Sequence, residues 1–253
     1  MNSYLRLTLI TCFVCTASSP SRAELPRLLG HNFTPTTYTL AEDVVTIGTY
    51  GIGYGISDDV SISTSSWLDV SYNMPNLGIR YATDVDGFVD RFAIEPMYFK
   101  TFPYFYNDYE QESFFVRTTV AKNFSDFYVL NASLGYQYFI NDRRAFSLRL
   151  EPGLSRSKHH LSLSTLHELY ISQHLGVLLE LGLAGLNYDT LYSQLGTSVF
   201  VRWSWGLLQL GLSRTRSLGE VDLDRWYRFD DGRIANYGEI SIYHPEVQLQ
   251  FYF

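Results

Sequence analysis

His160 and Ser162 stand two residues apart in "HHLSLS", a spacing that puts both side chains on one face of a strand. In that arrangement an imidazole can act as general base and a hydroxyl as nucleophile. Glu168, a further candidate, shares their parity further along. A second set of chemically competent residues is larger and more diffuse. Arg80, Arg91, Arg117, Arg149 and Arg202 share the polar parity of their segments with Asp69, Glu95, Glu151, Glu168, Glu180 and Glu246. Asp222, Asp224, Asp230 and Asp231 cluster, but their spacing and the misplaced glycine fit no calcium loop, so they read as a solvated acidic segment. No phosphate loop, dinucleotide fingerprint or zinc motif occurs, so neither a cofactor nor a metal is expected.

The elements that must position these groups are strands. Apolar and polar residues alternate with period two in segment after segment. Leu77, Ile79 and Tyr81 oppose Gly78, Arg80 and Ala82, and Tyr128, Leu130, Ala132 and Leu134 oppose Asn131, Ser133 and Gly135. Leu195, Val199 and Val201 oppose Gln194, Ser198 and Arg202. Turn signals punctuate the runs at Ser57-Asp58-Asp59, Asp84 to Gly87, Ser125-Asp126 and Asn141-Asp142. The pattern predicts an all-β fold: a single antiparallel up-and-down transmembrane β-barrel of about twelve strands. Ten is the alternative, because the segment from Lys158 to Leu175 is ambiguous. A soluble sandwich or lipocalin-like barrel would also alternate. A polar parity rich in Gly and Ser, and aromatics gathered at strand ends (Trp203, Trp205, Phe251, Phe253), favour a filled lumen and a membrane-interface girdle.

Residues 1–23 combine an early positive charge, an apolar run from Leu7 to Ala17 and small residues before Ala23, which reads as a secretory signal peptide cleaved near Ala23. Residues 24–36 read as a short unstructured periplasmic lead-in, and residues 37–253 as the barrel. Both cysteines, Cys12 and Cys15, fall in the signal, so the exported chain has no disulfide or thiolate site. Without Arg6 and Arg22 it holds 17 basic and 26 acidic residues, a net charge of about −9, which argues against a nucleic-acid partner. The sequence sets no oligomeric state.

The export signal, the alternation and the ending "EVQLQFYF" together resemble Gram-negative outer-membrane β-barrel proteins. The resemblance is one of class and identifies no individual family. Val247, Leu249, Phe251 and the final Phe253 match the terminal-strand signal of that class, which implies recognition by the barrel-assembly machinery, closure of the last strand on the first, and a bacterial outer-membrane location. Lipid and lipopolysaccharide are then the surrounding partners. Arg214 and Arg216, outward at the far end of their strand, are candidates for lipopolysaccharide phosphate. A His-x-Ser-Asn arrangement occurs in some outer-membrane lipid hydrolases, and His160-Leu161-Ser162 resembles its start. Leu163 stands where that pattern has Asn.

The near balance of charges on the polar parity predicts a lumenal ion-pair network of Arg80, Arg91, Glu95, Arg117, Arg149, Glu151, Glu180 and Arg202, with Glu180 and Arg202 as the leading pair. The expected function is a non-enzymatic outer-membrane barrel, either plugged or a narrow, weakly selective pore. The alternatives are a lipid hydrolase using His160 and Ser162, and a surface binding or adhesion protein acting through the acidic loop 218–235. Pro245 predicts a bulge near His244-Pro245 in the last strand.

Overall fold

The computed structural model describes residues 25–31, 34–65, 75–100, 112–140, 158–187, 191–218 and 241–253. It is all-β. Twelve strands run β1 Val45–Gly48, β2 Ile52–Ser57, β3 Val60–Thr64, β4 Asn76–Asp84, β5 Arg91–Lys100, β6 Glu112–Ser125, β7 Tyr128–Phe139, β8 His159–Tyr170, β9 Leu175–Ala184, β10 Tyr192–Trp203, β11 Gly206–Ser217 and β12 Ser241–Tyr252. Each pairs antiparallel with its neighbours in chain order, and β1 pairs with β12, so the sheet closes. The ambiguous segment after Lys158 is β8 with the start of β9.

Alternation decides which way side chains point. Leu77, Ile79, Leu134, Leu163, Leu181, Leu195, Val199, Leu210 and Val247 face outward and are exposed, while Arg80, Glu95, Ser133, Glu180, Ser198, Gln209 and Glu246 face inward and are buried. The two ends of the barrel differ. At one end the connections are two to six residues long: 58–59, 85–90, 126–127, 171–174 and 204–205. At the other they range from three residues (49–51) to 23 (218–240). At the short-turn end Trp205 lies edge-on to Trp203 and stacks on Phe251, with centroids 5.2 and 5.9 Å apart.

The interior is not lined by polar groups alone. Leu166, Leu178, Phe200, Leu207 and Tyr252 point inward and form an apolar cluster with Leu28 and Leu40, which belong to the segment before β1. The described residues 25–31 and 34–40, part of them expected as an unstructured lead-in, lie inside the barrel. Leu28, His31, Thr34, Thr36, Thr37 and Thr39 are essentially inaccessible to solvent. The segment enters at the short-turn end, where the Tyr252 hydroxyl donates to Arg27 C=O (3.1 Å) and Arg202 to Pro26 C=O (3.4 Å). Its two legs are antiparallel: Gly30 bridges Pro35, His31 N–H donates to Thr34 C=O (2.8 Å) and Thr36 N–H to Leu29 C=O (3.2 Å). Gly30 has φ 156°, and a Cβ there would stand 2.8 Å from Pro35 Cα, so glycine is required at this bend. The second leg returns to the short-turn end and leads into β1 along β2. A Cβ on Gly55 would collide with Ala41 C=O, and one on Gly53 would stand 2.9 Å from Leu40 Cδ1.

The bulge expected near His244-Pro245 does not form. Pairing of β12 with β11 runs without a register shift from Phe251 opposite Gly206 to Ser241 opposite Arg216, with Pro245 opposite Leu212. The proline is accommodated in another way. Phe253 exchanges both backbone bonds with Val45, and Leu249 C=O accepts from Thr49 N–H, so odd-numbered residues of β12 aim their backbone groups at β1. β1 ends at Gly48, opposite Gln250. The missing N–H of Pro245 therefore points beyond the end of β1 and costs the sheet no ladder bond.

Candidate functional site: the lumen and its internal hairpin

The ion-pair network exists, in part as read from sequence and in part around a residue the sequence reading left out. Glu95 on β5 is the hub of one half. Its Oε1 accepts from Arg80 Nη2 (3.0 Å), and its Oε2 from Arg117 Nη2 (2.6 Å) and Nε (3.2 Å). All three side chains come from neighbouring strands, β4, β5 and β6, on inward parity, and are mostly buried. Arg80 extends further: its Nη1 donates to Tyr38 C=O (2.9 Å) and Leu29 C=O (3.4 Å), one carbonyl on each leg of the hairpin. A guanidinium suits this because its fork can serve a carboxylate and two carbonyls at once.

The other half centres on His31, near the tip of the hairpin. Nδ1 lies 2.8 Å from Glu180 Oε2 on β9, and Nε2 lies 2.7 Å from Glu246 Oε2 on β12, with all three side chains buried. A carboxylate beside each ring nitrogen favours the doubly protonated imidazolium. Burial alone would pull His31 below its usual value, but Glu180 and then Glu246 outweigh that and raise it to about 9. Gly196 on β10 makes room, since a Cβ there would stand 2.7 Å from His31 Cε1 and 3.0 Å from Glu180 Oε2. Ser213 Oγ is 3.4 Å from His31 Nδ1. Glu246 Oε1 accepts from Gln209 Nε2 (2.7 Å) and from Gln248 Nε2, which also reaches Gly30 C=O (3.5 Å).

The expected Glu180–Arg202 pair is not made. Arg202 points inward at the short-turn end, where Nε donates to Gln173 C=O (2.6 Å) and the guanidinium lies over the Tyr170 ring at 5.1 Å. Glu180 sits deeper and takes the His31 cation instead. Arg91 is half-buried beside the exposed Asp84 (3.7 Å) and 5.8 Å from the Tyr38 ring centroid. Arg149 and Glu151 lie outside the described residues, as does the 218–235 loop after Leu218.

The candidate catalytic set is not assembled as a triad. His160 lies near the long-loop end of β8, and its Nε2 accepts from Gly185 N–H (3.3 Å). Ser162 is packed against Gly135, where a Cβ would come 2.5 Å from its Oγ. Glu168 is eight residues beyond His160 on the same strand, roughly 26 Å from it. There it accepts from Asn131 Nδ2 (2.5 Å) and the Tyr170 hydroxyl (2.5 Å). Asn131 Oδ1 in turn accepts from Thr37 N–H (3.1 Å), so Glu168 serves to anchor the second leg of the hairpin. Among the described residues no group of three or more His, Cys, Asp or Glu side chains could hold a metal ion.

Arg214 and Arg216 face outward on β11 toward the long-loop end, with the Arg214 guanidinium 5.5 Å from the Tyr243 ring. Val247, Leu249 and Phe251 face outward on β12, and Phe253 closes on Val45. A scan of protein-family models, a search of curated proteins and a search of solved structures each return no match to this chain.

Proposed function

We propose that the protein is an outer-membrane β-barrel whose own N-terminal hairpin closes the lumen at rest and whose displacement opens it: a gated conduit, not a standing pore and not a hydrolase. The observation that carries this reading is the hairpin itself, with Leu28 in the lumenal apolar cluster and both nitrogens of His31 engaged by the wall. An exposed apolar outer face on a closed sheet supports a lipid surround, because only a closed sheet satisfies every backbone group in hydrocarbon. Short turns at the end where the hairpin enters support that end as the periplasmic one. Outward Arg214 and Arg216 at the opposite end support contact with lipopolysaccharide phosphates. The terminal strand supports the barrel-assembly machinery as the partner in biogenesis.

Planar-bilayer recording of the refolded exported chain tests the proposal. Wild-type protein is expected to be silent apart from brief openings. Leu28→Asp, which places a carboxylate in the apolar cluster, is expected to give steady conductance. A wild-type protein with steady ohmic conductance, or a folded Leu28→Asp protein that stays silent, would refute it.

A further inference from the structure

Among the described residues the two buried ion-pair clusters carry opposite net charges while the hairpin is docked. Arg80 and Arg117 exceed Glu95 by one positive charge, and Glu180 and Glu246 exceed the His31 imidazolium by one negative charge. Take His31 away and Glu180 and Glu246 face a lumen without their cation. Their surroundings are already shaped to hold one. Gly196 lies against the ring and one of the carboxylates, since a Cβ there would stand 2.7 Å from His31 Cε1 and 3.0 Å from Glu180 Oε2. Gln209 donates to Glu246 Oε1 and so orients Oε2 toward the ring, and its own fully buried Oε1 has no partner among the described residues, an additional acceptor beside the acids. Ser213 Oγ adds another polar atom on the Nδ1 side.

We propose that Glu180 and Glu246, with Gly196, Gln209 and Ser213, form a binding site for a small planar organic cation carrying two N–H donors, and that His31 occupies it as a tethered internal ligand. An external imidazolium-type cation then competes with the hairpin for the same two carboxylates. By mass action, a ligand that binds only the vacated site shifts the protein toward the displaced hairpin. The two carboxylates repel anions, and the potassium arm of the test separates a planar N–H donor from a simple cation. This inference rests on the hairpin being displaceable.

The test uses the full exported chain, whose sequence holds no cysteine after Cys15, so that Thr34→Cys introduces a single thiol at a buried position of the hairpin. Imidazolium, titrated at pH 6 and constant ionic strength, is expected to accelerate thiol labelling of Thr34→Cys with saturation, and potassium is not. Isothermal titration of His31→Ala protein is expected to show stoichiometric imidazolium binding that weakens about tenfold or more when Glu180→Gln or Glu246→Gln is added. Acceleration by potassium and imidazolium alike would overturn the site, as would binding to His31→Ala that is insensitive to both Gln substitutions. Binding without any change in bilayer conductance keeps the site and refutes the gated conduit. Conductance on hairpin displacement without saturable binding keeps the conduit and refutes the site.

Discussion

Replacing Gly196 with valine tests how tightly the hairpin tip is fitted to the wall. A Cβ alone at this position stands 2.7 Å from His31 Cε1, 2.7 Å from Ser213 Oγ and 3.0 Å from Glu180 Oε2. The clash cannot be relieved by one flexible side chain swinging aside. His31 is hydrogen-bonded to Glu180 through Nδ1 and ion-paired with Glu246 beside Nε2, and position 196 is itself fixed by ladder partners Glu180 on β9 and Ser213 on β11. Overpacking of this kind costs about 1–3 kcal/mol. The share of it set by the His31 ring falls on the docked state alone, while the contacts with Ser213 and Glu180 belong to the wall and persist with the tip displaced. The ratio of docked to displaced protein therefore drops by up to about 150-fold. The rate of thiol labelling in a Thr34→Cys background reads that ratio directly. Thr197→Val, one residue along and facing outward, is the control. Equal labelling and equal conductance in the two variants, with both barrels folded by heat-modifiable mobility, would refute the fit described for the tip.

Docking also depends on pH through His31, and the sign is fixed. The docked imidazole has its proton affinity raised from 6.5 to about 9, so the stabilisation is complete below pH 6.5 and is lost as pH rises through about 9, a span worth about 3 kcal/mol. Labelling of Thr34→Cys, normalised to a free thiol, should therefore rise steeply between pH 7 and 10, and the added substitution His31→Ala should flatten the profile; an unchanged slope in that variant would remove His31 as its origin. In β12, Pro245→Ala restores an N–H that points past the end of β1, so the urea midpoint should not rise; a gain of about 1 kcal/mol would mean that a ladder partner exists there after all.

The wall was legible in the sequence because a strand that separates two environments must alternate, and Leu77 to Tyr81 or Leu130 to Gly135 do so without exception. Arg80, Glu95 and Arg117 share that inward parity on neighbouring strands, and register brings them together, with Glu95 opposite Arg117. The hairpin was hidden for a physical reason. Its threonines and single histidine have no period of their own, because the segment is neither strand nor helix but takes its shape from the cavity around it. One signal was available: Leu166, Leu178 and Phe200 sit on the inward parity, where an open aqueous channel would not place them. In "VLLELGLA" the inward Leu178 is masked by outward Val177 and Leu179. Glu180 was paired with Arg202 because both point inward on adjacent strands, yet parity says nothing of depth. Arg202 lies beside Gln173 at the rim, while Glu180 lies opposite Gly196.

β1 and β12 share three register pairs, Thr46 with Tyr252, Ile47 with Phe251 and Gly48 with Gln250, extended at the ends by the Val45–Phe253 bonds and by Thr49 N–H donating to Leu249 C=O. A seam so short is reinforced from within. Gln250 donates across it to Thr46 Oγ1 (2.6 Å) and Gly51 C=O (2.8 Å), and the hairpin spans it on a wider scale. Its first leg is fastened to Tyr252 and Arg202 on one side of the seam, and its second leg to β2 on the other through Asp43 N–H donating to Gly55 C=O (3.0 Å). The segment is thus a clasp on the cylinder as well as a stopper in it. Pulling the whole of it out would unfasten the first strand from the last, so the motion compatible with an intact wall is a swing of the tip around His31, with both legs left fastened at the rim.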